Sequence, residues 1–358
     1  MKRVAYAWDE ECLRHDSGPA LRIDQASAWI PTPHFESPER LVRCHQALQA
    51  SGRLDDLVPI PPRPATEDEL RLVHTPDHIA MVRASEDFVS PMPVGDAVRA
   101  GPGSWPAALA AAGATIAAVE EVVHGRTDAS FALVRPPGHH ASAELAMGSC
   151  LFNNIAIATR YAQRHLGVAR VAIVDWDVHH GNGTEDTFAA DSSVLFLSIH
   201  QEDFYPPGRG HVEDRGRGAG VGSTVNIPFP AGSGDAGYLA AFDEIVVPAL
   251  RNFAADLVVI SAGQDAAGTD PLGRMCLTAE GFRGMTARVR DVAHEVSGGR
   301  VVAVQEGGYS LSQMPWCVLA IVEELLEVEP TFAIDPMETD GPKTVRPEEL
   351  AAIERARP

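Results

Sequence analysis

The stretch VAIVDWDVHHGNG, residues 171–183, joins a run of apolar, mostly β-branched residues to a cluster of two carboxylates and two imidazoles. A continuous apolar run is typical of a strand in a parallel sheet that is covered on both faces. Ionised carboxylates are costly to bury unless a cation or hydrogen-bond donors compensate them. Asp177 and His179 lie two residues apart, so in extended backbone their side chains point to the same side and could bind one cation. The alternative interpretation is a polar loop with satisfied caps.

Similar apolar runs recur along the chain, and helix-like segments separate them. The candidate strands are residues 131–134, 171–174, 194–198, 257–261 and 301–305. The candidate helices are residues 106–123, 153–165, 236–253, 279–296 and 314–326. This alternation predicts a doubly wound α/β layer structure. Two long loops rich in glycine and proline, residues 90–103 and 205–222, are either functional or simple insertions.

The composition is that of a globular protein, with 358 residues of which 45% are hydrophobic and 22% charged. We expect one domain over residues 1–334 and a polar tail, 335–358, that docks onto it or is partly disordered. The formal net charge of −20 argues against binding to nucleic acid or anionic membranes and mildly favours a cationic substrate. Five scattered cysteines without a C-x-x-C pair, no apolar leader and no apolar stretch of about 18 residues predict a reduced, cytoplasmic protein.

Chemistry-bearing side chains follow each candidate strand. RPPGHH, residues 135–140, follows the first strand, and His200 follows the third. Asp265 lies shortly after the fourth strand, and EGGY, residues 306–309, follows the last. Because ligands of open α/β sheets bind at the carboxyl ends of the strands, we expect these segments to converge on one edge.

Asp177, His179 and Asp265 together predict a catalytic metal site. Three protein ligands that leave one position open for water are the pattern of catalytic zinc. Two carboxylates make the site harder than one with three histidines, so iron(II), cobalt or manganese could also bind. The metal would acidify its water and make it a usable nucleophile.

The tandem pair His139-His140 and Tyr309 are the candidate acid–base and electrostatic groups. One histidine could take a proton from the water and pass it to a leaving amine, while the other adds electrostatic stabilisation. Asp175 and Asn182 are candidates for the acceptors that orient these rings. The phenol of Tyr309 could stabilise an oxyanion. The alternative interpretation is a pair of surface loop histidines and a tyrosine that only packs behind a turn.

Taken together, these motifs resemble the zinc-dependent histone deacetylase family. The motifs are RPPGHHA (135–141), DWDVHHGNGT (175–184), SAGxDA (261–266) with DPLG (270–273) after it, and EGGY (306–309). HFESPERL (34–41) and VHTPDHI (73–79) are also similar to family segments, so the resemblance covers roughly residues 1–330. The closest similarity is to class II-like bacterial members, the histone deacetylase-like and acetylpolyamine amidohydrolases. It implies the arginase/deacetylase α/β fold, a central parallel sheet of about eight strands flanked by helices on both faces.

The resemblance also implies a role for each motif residue. Asp177, His179 and Asp265 would bind zinc, His140 would be the general base and acid, and His139 would be its electrostatic partner.

By the same resemblance, Tyr309 would polarise the amide carbonyl, and Asp175 and Asn182 would orient the histidines. The family often carries a structural potassium, for which the ligands here would be Asp175, Asp177, His179, Ser198 and Ile199. Family members often form dimers or tetramers, so a homo-oligomer is expected.

The chain departs from the family pattern at the substrate tunnel. Ser149 and Tyr205 stand where phenylalanines usually form the wall, and Gln264 replaces a third aromatic residue. These departures predict a wider and wetter tunnel, although neutral drift is the alternative. Leu272 stands where a glutamate would suit a polyamine cation, which argues mildly against an acetylpolyamine specialist. The positions predicted to line the tunnel are Gly148, Ser149, Tyr205, Gln264, Leu272 and Ser104.

The function expected from these residues is a zinc-dependent hydrolase of linear amides. It would remove an acyl group, with acetyl the first expectation, from an acyl-lysine or a small acylated amine. One alternative is a deacylase of acetylpolyamines or other metabolites with a widened tunnel. Others are a two-manganese ureohydrolase of arginase type and a non-catalytic binding protein on the same fold.

Overall fold

The fold is built around an eight-stranded parallel sheet. A computed structural model describes residues 1–20, 32–333, 335–337 and 341–357. The strands are β1 Val4–Ala7, β2 Val58–Ile60, β3 Met92–Asp96, β4 Val98–Ala100, β5 Ala129–Ala132, β6 Ala146–Met147, β7 Val171–Asp175, β8 Val194–Gln201, β9 Thr224–Phe229, β10 Leu257–Ala262 and β11 Val301–Gln305. The order of strands in the eight-stranded sheet is β2-β1-β5-β11-β10-β7-β8-β9, and a separate three-stranded sheet has the order β4-β3-β6.

Helices flank the central sheet. The α-helices are α1 Pro38–Ala50, α2 Glu67–Leu70, α3 Pro76–Ala84, α4 Ser104–Val123, α5 Asn154–His165, α6 Asn182–Phe188, α7 Asp235–Ala241, α8 Val247–Phe253, α9 Ala279–Val296, α10 Met314–Leu326 and α11 Pro347–Ala356. A π-helical turn, Phe242–Val246, joins α7 to α8. Every residue of β5, β7, β8, β10 and β11 is buried. Because alternate side chains of a strand point to opposite faces, both faces of the sheet are covered.

The five strands predicted from apolar runs are β5, β7, β8, β10 and β11. They are neighbours in the sheet and they are all parallel. The carboxyl ends of these strands therefore lie along one edge, as the prediction of a single site requires.

Two outer strands lack the continuous apolar run of the central strands. β2 contains Pro59, and β9 contains Asn226 and Pro228. Both lie at the ends of the sheet order, where one side of the strand needs no ladder partner and proline is tolerated. The missing apolar run is thus a consequence of the edge position.

Two segments predicted to be irregular are ordered. The loop at residues 90–103 contains the antiparallel hairpin of β3 and β4. The segment predicted as a polar tail ends in α11, where Ile353 is buried and where Arg355 bonds to Glu202 at 2.8 Å. In its described part, this segment docks onto the domain.

The helix α4 is long and apolar enough, by length and composition, to cross a membrane. This differs from the expectation that no such stretch exists. In the structure 72% of its apolar window is buried inside the protein. Its apolar residues therefore belong to the core.

Candidate active site

Asp177, His179 and Asp265 lie together at the carboxyl edge of the sheet. Their ligand atoms are all within 4.8 Å of one another. His179 Nδ1 lies 3.1 Å from Asp177 Oδ1 and 3.1 Å from Asp265 Oδ2. Asp177 and His179 follow β7, and Asp265 follows the neighbouring strand β10, so the sheet itself brings the three together.

The backbone around these side chains leaves little free space. Gly307 donates its N–H to Asp177 Oδ2 at 2.8 Å. A Cβ at Gly307 would lie 2.1 Å from Asp265 Oδ2 and 2.5 Å from Asp177 Oδ2. A Cβ at Gly263 would lie 2.1 Å from Asp177 Oδ2. Glycine is therefore required at both positions by the close approach of the backbone to the two carboxylates.

The charges of the triad fit a bound cation. Burial and the nearby charge of Asp177 raise the pKa of Asp265 to about 7. Burial opposes the protonation of His179, but its hydrogen bonds to both carboxylates raise its pKa to about 10. The two buried carboxylates thus both attract positive charge to the point between them. Carboxylate oxygen and imidazole nitrogen are both zinc ligands, so the donor set fits a metal ion at this point.

His139 and His140 lie beside the triad, and each forms a hydrogen bond with a different kind of partner. His139 is paired with a carboxylate, and His140 is paired with an amide. His139 Nδ1 lies 3.0 Å from Asp175 Oδ2, and the two histidine rings are 4.0 Å apart. Burial lowers the pKa of His139, but the carboxylates of Asp177 and Asp175 outweigh it and raise this pKa well above its ordinary value. The bond to Asp175 therefore favours the protonated form of His139.

His140 is held as the neutral member of the pair. Its Nδ1 lies 2.7 Å from Asn182 Oδ1, while Asn182 Nδ2 donates to the carbonyl of His140 at 3.4 Å. The amide oxygen accepts, so Nδ1 carries the proton and Nε2 keeps a free lone pair. Burial and the charges of His139 and His179 hold the pKa of His140 well below its ordinary value. These are the properties of a general base.

Tyr309 is fixed by its backbone and its ring. The N–H groups of Tyr309 and Ser310 donate to Asp270 Oδ2 at 2.6 and 3.0 Å. The guanidinium of Arg40 lies 4.7 Å from the centre of the Tyr309 ring. In the described part of the chain the hydroxyl has no partner, and Tyr309 lines the same cavity as His140 and His179.

This cavity has a volume of about 770 Å³. The predicted residues Gly148, Ser149, Tyr205 and Leu272 line it. The ring of Tyr205 stands edge-on to His140 with the ring centres 5.1 Å apart. Tyr205 therefore forms part of the cavity wall beside His140, as its position in the sequence predicts.

The predictions for Gln264 and Ser104 are wrong. Gln264 is fully buried, and Gln305 Nε2 donates to its side-chain oxygen at 2.8 Å, so it turns into the protein instead of the cavity. Ser104 is also fully buried at the start of α4, with its hydroxyl 2.9 Å from His15 Nδ1. Neither lines the cavity. Gln264 therefore does not widen the cavity in this protein.

The residues predicted for potassium are close neighbours. Asp175 and Ser198 are register partners on β7 and β8, and Ile199 is the next residue of β8. Ser198 Oγ lies 2.9 Å from His200 Nδ1. Strand pairing thus brings Asp175, Ser198 and Ile199 together, with Asp175 two residues before the triad residue Asp177.

Several residues of the site were not assigned a role from the sequence. Phe204 stacks on His179 with ring centres 5.6 Å apart, and Asp96 of the hairpin accepts from the Tyr205 hydroxyl at 3.3 Å. Glu306 Oε2 accepts from the N–H groups of Gly138 and His139 at 2.6 and 3.1 Å. A carboxylate directly after a buried strand was the available signal for Glu306, because such a group needs a structural partner.

Comparison with known proteins identifies the family. The model of the histone deacetylase domain matches residues 34–325. The chain belongs to the histone deacetylase family. The predicted family and fold are thereby confirmed, and so is the broad prediction of an amide-hydrolysing deacetylase.

Members of the histone deacetylase family from distant organisms are similar to this chain. A histone deacetylase-like amidohydrolase of Pseudomonas aeruginosa is 42% identical over 328 residues, which cover 90% of this chain and 86% of that protein. A probable deacetylase of Archaeoglobus fulgidus is 38% identical over 322 residues, or 87% and 83% of the two chains. The crystal structure of the HDA15 HD domain matches with a TM-score of 0.88 and 35% identity, covering 99% of this chain and 93% of that one.

Proposed function

We propose that the protein is a zinc-dependent deacylase that hydrolyses the amide bond between an acyl group and an amine. The observation that carries this proposal is the arrangement of Asp177, His179 and Asp265 beside His140 and Tyr309 on one cavity. Zinc bound there would acidify a water molecule and polarise the amide carbonyl. Iron(II) or cobalt would suit the same mixed donor set.

The protein's own groups then move the protons. Nε2 of His140 takes a proton from the attacking water, and the cationic ring of His139 offsets the negative charge that develops nearby. The hydroxyl of Tyr309 donates a hydrogen bond to the carbonyl oxygen as its charge grows. His140 finally returns the proton to the leaving amine, which departs neutral.

The volume and the lining of the cavity bear on the class of substrate. Its volume of about 770 Å³ is in the range of small-molecule sites. Ser149 and Tyr205 supply hydroxyl groups where a purely aromatic wall would be apolar. A small acylated amine is therefore as suitable a substrate as an acyl-lysine side chain.

A structural potassium is a further part of this proposal. The adjacent positions of Asp175 and Ser198 support it, since a buried carboxylate beside a strand end is a good partner for a cation.

The experiment is a turnover assay of purified, zinc-loaded protein on acetyl-lysine peptides, acetylated polyamines, longer acyl-lysines and small acylated amines. We expect release of the free amine from at least one class, loss of turnover with a chelator, and recovery with zinc. A folded protein that contains zinc but hydrolyses none of these amides would contradict the proposal.

A further inference from the structure

The wall of the cavity outside the metal triad carries a local charge opposite to that of the chain. Among the described lining residues, the only other formally charged side chains are those of Arg99, Arg274 and Asp96. The chain as a whole has a formal net charge of −20. His15 and His34 also line the cavity, but burial lowers the pKa of each, so both are neutral at pH 7. The local balance is therefore positive.

Arg99 has a side-chain donor without an acceptor in the described part of the chain. It lies on β4 of the hairpin, with its stem against the backbone at Gly18, where a Cβ would lie 3.3 Å from Arg99 Cδ. Its Nε is buried and has no acceptor within the described residues. Asp96 of the same hairpin accepts from the Tyr205 hydroxyl instead. A carboxylate that reached the Arg99 guanidinium from the cavity would give it the acceptor that the described residues lack.

Arg274 is the second arginine of the cavity without a carboxylate partner among the described residues. Its backbone N–H donates to Gln201 Oε1 at 3.0 Å, and its exposed side chain has no carboxylate partner in the described ranges. Most other arginines are paired, as Arg209 is with Glu185 and Arg251 with Glu295. Both guanidinium groups of the cavity thus lack a carboxylate partner within the described residues, which leaves them open to a carboxylate of a bound molecule.

We propose that Arg99 and Arg274 bind a carboxylate of the substrate. This inference rests on the proposed deacylase function and names its substrate class, an acylated amine that also bears an anionic group. Arginine matches a carboxylate with paired hydrogen bonds, which gives both attraction and orientation. Leu272, next to this region, offers no carboxylate to a polyamine cation. The local charge thus reverses the preference for a cationic substrate that the net charge of the chain suggested.

The carboxylate could belong to either half of the substrate. It could be the α-carboxylate of a free Nε-acyl amino acid, or it could be the end of a dicarboxylic acyl group. The test compares three Nα-blocked substrates on zinc-loaded protein: acetyl-lysine with a free α-carboxylate, its α-carboxamide, and succinyl-lysine α-carboxamide.

We expect one of the two anionic substrates to exceed acetyl-lysine carboxamide about tenfold in kcat/KM, the usual scale of a hydrogen-bonded ion pair. Arg99→Gln should remove most of this preference, chiefly through KM, whereas Arg99→Lys should retain part of it. Which anionic substrate responds identifies the source of the carboxylate. Equal kcat/KM of the wild type on all three substrates would overturn the inference. So would an Arg99→Gln variant whose kcat/KM falls by the same factor on the anionic substrates as on acetyl-lysine carboxamide.

Arg164→Gln is the matched control, because it changes the net charge by the same amount as Arg99→Gln. Arg164 is exposed near the end of α5 and is not among the residues that line the cavity. It should leave all three rates unchanged. Added salt should weaken the preference of the wild type, as expected for an exposed ion pair. If the zinc-loaded protein hydrolyses none of these substrates and none of the amides named under the proposed function, the proposed function fails. Calorimetric binding of the carboxylate and carboxamide forms then still decides the inference, with equal affinities overturning it.

Discussion

Tyr309→Phe separates catalysis from structure more cleanly than any other change at this site. The ring is held by the guanidinium of Arg40 at 4.7 Å, and the backbone is held by Asp270 at 2.6 Å, and neither contact involves the hydroxyl. Since the hydroxyl has no protein partner in the described part of the chain, its removal leaves no buried group unpaired. We therefore expect the free energy of unfolding to change by less than about 0.5 kcal/mol.

The effect on turnover should be much larger. Loss of hydration in the cavity raises the pKa of Tyr309 well above its ordinary value, so the hydroxyl stays protonated and can donate. Removal of one donor to a developing oxyanion typically lowers kcat by about 10²–10³, or about 2.7–4 kcal/mol.

The assay measures steady-state hydrolysis of the best substrate, zinc content and urea unfolding on the same preparations. Tyr205→Phe is the control, because Tyr205 also lines the cavity but its hydroxyl bonds to Asp96. It should lose less than about tenfold. A zinc-loaded Tyr309→Phe protein with kcat within threefold of the wild type would refute the oxyanion role.

Three further changes test the surroundings of the site. Gly307→Ala places a Cβ 2.1 Å from a triad carboxylate, so it should weaken zinc binding at least tenfold. A competition titration measures the zinc affinity, and an unchanged affinity would contradict the tight packing around the triad. Ser149→Phe should narrow the cavity and shift the acyl-length profile towards short groups, and an unchanged profile would count against Ser149 as a wall residue. Burial raises the pKa of Glu185, but His180 and Arg209 outweigh it and lower this pKa to about 2. Its stabilising effect is thus full above the unfolded pKa near 4.5 and lost as the pH falls towards 2. Glu185→Gln should therefore destabilise the protein by about 1–3 kcal/mol at pH 7 and by clearly less at pH 3 in urea unfolding, whereas a pH-independent difference would contradict this charge pairing.

The central strands could be predicted because a strand that is buried on both faces has a continuous run of apolar residues. The run at 171–174 and its polar continuation therefore located β7 together with two of the three triad residues, Asp177 and His179. β9 is a parallel strand of the same sheet, but it lies at the edge, where Asn226 and Pro228 are tolerated. It therefore lacks the continuous apolar run by which the central strands were predicted.

The tunnel positions show a different limit of the sequence. A residue that follows a strand lies near the site, but the direction of its side chain depends on the local turn. Ser149, at a φ of +64°, faces the cavity, whereas Gln264 turns inward to Gln305. Likewise, the hairpin that brings Asp96 and Arg99 to the cavity depends on contacts far away in the sequence, such as the donation from Gly148 N–H to the carbonyl of Asp96 at 2.9 Å.

The most direct test of the central claim is the number of zinc ions bound per chain, measured together with the rate of amide hydrolysis. The wild-type protein should bind one zinc ion at the triad, and its turnover should rise in proportion to the zinc restored after chelation. Asp265→Ala should lose both the ion and the turnover while it stays folded. Full turnover by metal-free protein, or an Asp265→Ala variant that binds zinc with wild-type affinity, would contradict the assignment of Asp177, His179 and Asp265 as the metal site.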